Sequence, residues 1–164
     1  MDAHGVSEIC SVSECVSPGA PGWVDRWLYN ELGWFNRISD AMSVIPSGEE
    51  AEYRLFAYRI HAEVFTPGGR VPLEIPEDVR PEPIAAGFQR LGFDCANKSM
   101  ASVSGLECSP LSCNALATEL AANESCLFVA FSEAVAAAER FAAEQPEPGH
   151  FYIVEVLERS KEAA

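Results

Sequence analysis

The chain has 164 residues, of which 48% are hydrophobic and 10% aromatic, a composition typical of one folded domain rather than of a disordered chain. Its 11 Lys and Arg residues are outnumbered by 25 Asp and Glu residues, and the formal charge of -14 repels nucleic-acid phosphates and anionic lipid surfaces. This balance disfavours direct phosphate contact with nucleic acids and disfavours membrane binding. It favours another protein as the partner, including one with a basic surface.

Targeting signals are not evident in the sequence. No apolar run approaches the roughly 18 residues needed to span a bilayer, and the first residues lack the basic and apolar regions of a signal peptide. We therefore expect a cytoplasmic location, in which the six cysteines would be reduced.

Residues 1–22 are rich in Ser, Gly and Pro, and they predict a flexible N-terminal arm. Cys10 and Cys15 in this arm have C-x4-C spacing, whereas zinc sites more often use C-x2-C with a second pair of ligands, so no metal site is predicted. Residues 23–158 are predicted to form a single domain, followed by a frayed tail at 159–164.

In residues 23–38, apolar side chains that include three Trp recur at helical spacing. They predict a helix packed on the core, with an aromatic binding platform as the alternative. Residues 51–65 predict a long strand. The prolines and glycines of 66–83 indicate a connection with a hairpin-like turn, and residues 81–91 predict a short helix that ends at Gly92.

Residues 105–114 hold two closely spaced thiols and a helix-start signal. Ser109 is a favoured N-cap residue and Pro110 suits the first helical position, which predicts a helix to about residue 122. Cys108 and Cys113 then stand where a hydrophobic staple would bring them into contact. The alternative is a reactive thiol or redox pair beside a helix N-terminus, although Glu107 opposes thiolate formation.

Residues 126–158 read as strand, helix and strand, with Ser132 as the predicted N-cap, and this order predicts a crossover between two parallel strands. The expected fold class is α+β: one mixed sheet built from strands near 53–65, 99–106, 126–131 and 151–157, covered by about four helices.

Arg59, His61 and Glu63 alternate along the predicted strand and therefore share one of its faces. They form the only polar trio with a catalytic arrangement. The other interpretation is a solvated strand face that carries an ion pair.

Two resemblances follow from these motifs. The segments ECSPLSCN (107–114), NESCLF (123–128) and FYIVEV (151–156) resemble a group of uncharacterised bacterial proteins over residues 88–158 at most, and this likeness implies no catalytic residue. The order of elements also resembles the ADP-ribosyltransferase fold. That resemblance implies Arg59 or His61 on an early strand, Ser132 before a helix, Glu155 on a later strand, and NAD as substrate.

The sequence does not determine a function. We expect a small acidic cytoplasmic protein-binding or regulatory protein, and the alternative is an enzyme, either of the ADP-ribosyltransferase type or with a cysteine nucleophile. The candidate catalytic residues are Arg59, His61, Cys108 and Glu155. No cofactor is predicted, and NAD enters only under the enzyme alternative.

Overall fold

The computed structural model describes residues 8–13, 32, 34–74, 82–99, 105–112, 118–146 and 148–160. These residues form a single α+β domain around a four-stranded sheet. In chain order the elements are α1 (Ile38–Ser43), a 3-10 turn (Glu50–Glu52), β1 (Phe56–Thr66), β2 (Gly69–Pro72), β3 (Phe88–Lys98), α2 (Phe131–Glu144) and β4 (His150–Arg159).

The strand order is β2-β1-β4-β3, and every neighbouring pair is antiparallel. The predictions of a long strand near 53–65, a following hairpin turn and a strand near 151–157 are confirmed. The prediction of a mixed sheet is wrong, because residues 126–131 are not a strand that could pair in parallel with β4. Cys126 has a left-handed backbone (φ 57°), and only Phe128 makes a bridge, to Phe93.

The prediction of about four helices is also wrong for the described residues, which contain two α-helices. Residues 88–91 belong to β3 rather than to a helix, and residues 88–90 pair with residues 157–159 of β4. Residues 34–37 precede α1 in non-helical conformations, and residues 110–112 form a turn. Most of the predicted Trp-bearing helix and residues 113–117 lie outside the described residues.

Helix α2 covers one face of the sheet, which we call the helix face. Ala134, Ala138 and Phe141 recur at helical spacing and are fully buried. The backbone N–H of Ala130 donates to Glu133 Oε2 at 2.9 Å, which satisfies one donor at the start of the helix. Gln145 ends the helix in a left-handed conformation, and its N–H donates to the carbonyl of Phe141 at 2.8 Å.

The opposite face of the sheet is covered by residues 10–12, Leu106 and Leu127, which pack on Val154 and Val156. Cys10, Ser11, Val12 and Ser13 are all buried, so this part of the predicted N-terminal arm is packed against the sheet. Trp34 and Tyr58 also meet here, with ring centroids 4.8 Å apart.

The outer edge of β3 is covered in part by two segments of chain. Phe93 and Phe128 exchange two backbone hydrogen bonds of 2.9 Å, and the N–H of Asn97 donates to the carbonyl of Cys108 at 2.8 Å. These contacts satisfy backbone groups that a bare edge would expose. No helix in the described part of the chain is long and apolar enough to cross a membrane.

Candidate functional site

Arg59 and Glu155 face each other on the helix face. They are register partners on β1 and β4, and Arg59 Nη1 lies 2.5 Å from Glu155 Oε2. Glu155 is also the partner of Phe93 on β3, and Arg90 Nη1 approaches Glu155 Oε1 at 3.7 Å. One carboxylate is therefore shared by two guanidinium groups, and the trio keeps one net positive charge.

The three side chains differ in exposure. Glu155 is only 14% exposed, whereas Arg59 and Arg90 are 61% and 58% exposed. Arg90 also stacks over the ring of Phe93, with Cζ 5.4 Å from the ring centroid. The arginines thus present their guanidinium groups to solvent while the carboxylate beneath them fixes their position.

An aromatic cluster adjoins this trio at the start of α2. The ring of Phe131 lies 4.8 Å from that of His61 and 5.6 Å from that of Phe93, in edge-to-face arrangements. Phe131 is nevertheless 40% exposed, and Val129 is 66% exposed. The exposed ring of Phe131 therefore adjoins the Arg90 side chain through the ring of Phe93, and Val129 lies two residues before Phe131 along the chain. We call the set Arg59, Arg90, Val129 and Phe131, with His61 and Glu155 beneath, the arginine–phenylalanine patch.

His61 also contacts a second ion-pair group further along β1, which is centred on Glu63. Its Nε2 atom lies 3.3 Å from Glu63 Oε2. Arg70 on β2 contacts Glu63 at 3.5 Å and Glu139 on α2 at 2.5 Å. This group links the β1–β2 hairpin to the helix, so Glu63 serves an exposed ion-pair network in the structure.

Cys108 lies away from the other predicted site residues. Its backbone forms an isolated β-bridge with Asn97, which lies four residues along β3 from Phe93, the partner of Glu155. That offset is about 13 Å along the strand direction. Cys108 is half-buried and disulfide-bonded, so the expectation that all six cysteines are reduced does not hold at this position. A thiolate nucleophile would first require reduction of that bond.

The structure therefore brings Arg59, His61 and Glu155 to one face of the sheet. Cys108 lies apart from them, further along β3 at Asn97. Cys113 lies outside the described residues. Ser132 is exposed in the first turn of α2, next to Phe131.

A second polar cluster, which the sequence pattern does not indicate, surrounds the fully buried carboxylate of Asp94 on β3. Asp94 Oδ1 accepts from the Cys95 N–H at 2.8 Å and the Ser109 hydroxyl at 2.6 Å. Asp94 Oδ2 accepts from the Val12 N–H and the Ser11 hydroxyl, both at 2.8 Å. A single carboxylate thus joins the N-terminal segment and the 109–112 turn to the sheet.

Burial raises the pKa of Asp94, and the four donated hydrogen bonds oppose that shift. Ser13 and Ser112 extend the cluster, with their hydroxyl oxygens 3.4 Å apart. The signal in the sequence was an isolated carboxylate within the apolar run Phe93–Ala96, but its serine partners come from distant segments. The full burial and tethering geometry point to a structural role.

No group of three or more His, Cys, Asp or Glu side chains in the described ranges could hold a metal ion. Cys10 is a buried free thiol, and Cys15 lies outside those ranges. An open cleft of about 310 Å³ lies between α2 and the segment at 120–128, and it is lined mainly by apolar side chains together with Glu133 and Arg140.

Comparisons of the chain with protein-family models, with curated proteins and with solved structures gave no match.

Proposed function

We propose that this protein is a protein-binding module whose contact surface is the arginine–phenylalanine patch. The observation that carries the proposal is the exposure of Phe131, which adjoins Arg90 through the ring of Phe93, on a face where Arg59 and Arg90 are each more than half exposed. Aromatic and arginine side chains are enriched in protein interfaces and supply most of the hot-spot residues there. Exposed apolar side chains grouped with such residues support a docking surface more than a purely solvated one.

The two arginine side chains are held in position before a partner binds, which also supports binding. Arg59 is held by Glu155, and Arg90 is held by Glu155 and the ring of Phe93. Side chains that are already positioned lose less conformational entropy when a partner arrives. We therefore propose the arginine–phenylalanine patch as the surface for the expected protein-binding or regulatory role.

Site-specific photo-crosslinking tests this function. A benzoylphenylalanine at position 129 in the patch is compared with the same group at Tyr53, which is 49% exposed and lies before β1. In the cells that express the protein, we expect a discrete crosslinked adduct from position 129 that is lost on Phe131→Ala. Equal adducts from both positions, or none from position 129, would contradict the proposal.

A second candidate function is an enzyme of the ADP-ribosyltransferase type. The observation that favours it is the 2.5 Å contact between Arg59 and Glu155 on adjacent strands. In this proposal Arg59 or His61 would hold NAD, Glu155 would act on the reacting ribose, and Ser132 would lie nearby. Millimolar NAD should then raise the melting temperature, because a ligand that binds only the folded state stabilises it. An unchanged melting temperature would exclude this candidate.

A further inference from the structure

The charge of the arginine–phenylalanine patch differs in sign from the charge of the whole protein. The chain carries -14 overall, whereas Arg59 and Arg90 share the single carboxylate of Glu155. Glu63, further along β1, is engaged by Arg70 and His61. Arg59, Arg90 and Glu155 therefore carry one net positive charge on an acidic protein, and the carboxylate of Glu133 lies beside them at the Ala130 N–H.

We infer that the patch recognises an acidic segment of a partner protein in which a carboxylate stands beside an apolar side chain. Arg59 and Arg90 would bind the carboxylate, since guanidinium groups match carboxylate geometry. Val129 and Phe131 would contact the apolar side chain. This inference rests on the proposed protein-binding function and specifies the chemistry of the partner.

The charges argue for a carboxylate segment rather than a polyanion. The trio has a net charge of one, which suits one or two carboxylates. Long-range repulsion from a protein with a formal charge of -14 acts on every anion, and it opposes a nucleic acid with many phosphates far more than a segment with one or two carboxylates. Exposed Phe131 and Val129 add apolar contact, which a peptide side chain can fill.

The test is selection of binders from a random peptide display library on the full chain. We expect enriched peptides to carry Asp or Glu next to an aliphatic or aromatic residue. Their affinity should fall about tenfold or more in the variant R59Q/R90Q, which removes two charge-assisted contacts. R59K/R90K, which keeps the charges but not the planar geometry, should show an intermediate loss and serves as the test if the glutamine variant does not fold.

The matched control is Arg140→Gln. Arg140 is also exposed and ion-paired, to Glu144 and Glu119, but it lies on α2 outside the patch. We expect less than about a twofold change in affinity there. Peptides that lack acidic residues and lose affinity only on Phe131→Ala would overturn the carboxylate inference while leaving the protein-binding function standing.

Two further outcomes would overturn the inference. Absence of any enriched peptide would count against both the carboxylate inference and the patch as a binding surface. Self-association of the wild-type chain in analytical ultracentrifugation, abolished in R59Q/R90Q, would identify a second copy of this chain as the occupant instead.

Discussion

Asp94→Ala tests the role of the buried serine–aspartate cluster. The substitution removes the acceptor of four hydrogen bonds, from the backbone N–H groups of Val12 and Cys95 and from the hydroxyls of Ser11 and Ser109. The two hydroxyls can rotate towards other oxygens, whereas the two backbone donors have fixed directions. A buried donor left without an acceptor costs about 1–3 kcal/mol.

With two such donors, Asp94→Ala should lower the free energy of unfolding by about 3 kcal/mol, because the carboxylate no longer has to be buried and this offsets part of their cost. That is a large fraction of the roughly 5–15 kcal/mol by which a domain is stable. Urea denaturation followed by circular dichroism measures the free energy of unfolding. The control is Ser112→Ala, since the Ser112 hydroxyl lies 3.1–3.4 Å from three oxygens of the described residues, and its loss should cost about 1 kcal/mol or less. If Asp94→Ala lay within 1 kcal/mol of wild type, the tethering role would be refuted.

The remaining predictions concern pH, backbone geometry and thiols. Burial raises the pKa of Asp94 above its usual 3.8, so its stabilising contribution is present below pH 3.8 and is lost as pH rises through the folded-state pKa. The free energy of unfolding of wild type should therefore fall relative to Asp94→Asn as pH rises from 3.8, and a constant difference would contradict this. In Gly149→Ala the new Cβ would lie 2.7 Å from the carbonyl carbon of Lys98 at a φ of +110°, whereas at Gly48 the φ is +91° and the space around a Cβ is open. Chemical denaturation should therefore show a larger loss of stability for Gly149→Ala than the loss of about 1 kcal/mol expected for Gly48→Ala. Equal losses would refute the steric argument. Burial raises the pKa of the free thiols of Cys10, Cys95 and Cys126. These thiols should react with a disulfide reagent about 100-fold more slowly in the native protein than in urea. Native rates like those of a small-molecule thiol would argue against their burial.

The strands with clear alternation could be predicted from the sequence because their side chains record which face is buried. β1 and β4 carry β-branched and aromatic residues over ten or more positions, and helix α2 has an alanine stripe at helical spacing. Their antiparallel pairing could not be read in the same way. Residues 126–128 fill the core beside β3 as part of a loop, although their apolar run resembles a buried strand that would pair in parallel with β4.

The sequence of the first residues of β3 predicts a helix, because Phe88 and Leu91 fit a helical spacing. The structure instead shifts register between Arg90 and Gly92. A Cβ at position 92 would lie 2.7 Å from the carbonyl oxygen of Phe128, so glycine permits the close approach of the loop, and in the sequence it resembles a helix stop.

For the candidate site, alternation correctly placed Arg59 and His61 on a common face, where each has the contacts described above. The sequence could not show that Arg90 joins Glu155, because that contact depends on the order of strands. Nor could it show that Phe131 stays exposed at the start of α2, since a phenylalanine next to a helix is more often buried.

Hydrogen-exchange mapping of a selected peptide on the full chain tests whether the arginine–phenylalanine patch is the binding surface. We predict slower backbone exchange on binding at residues 59–61, 90–93 and 129–131, with no change at β2. Protection confined to β2, to α1 or to the cleft beside residues 120–128 would show that the peptide binds elsewhere than at the patch.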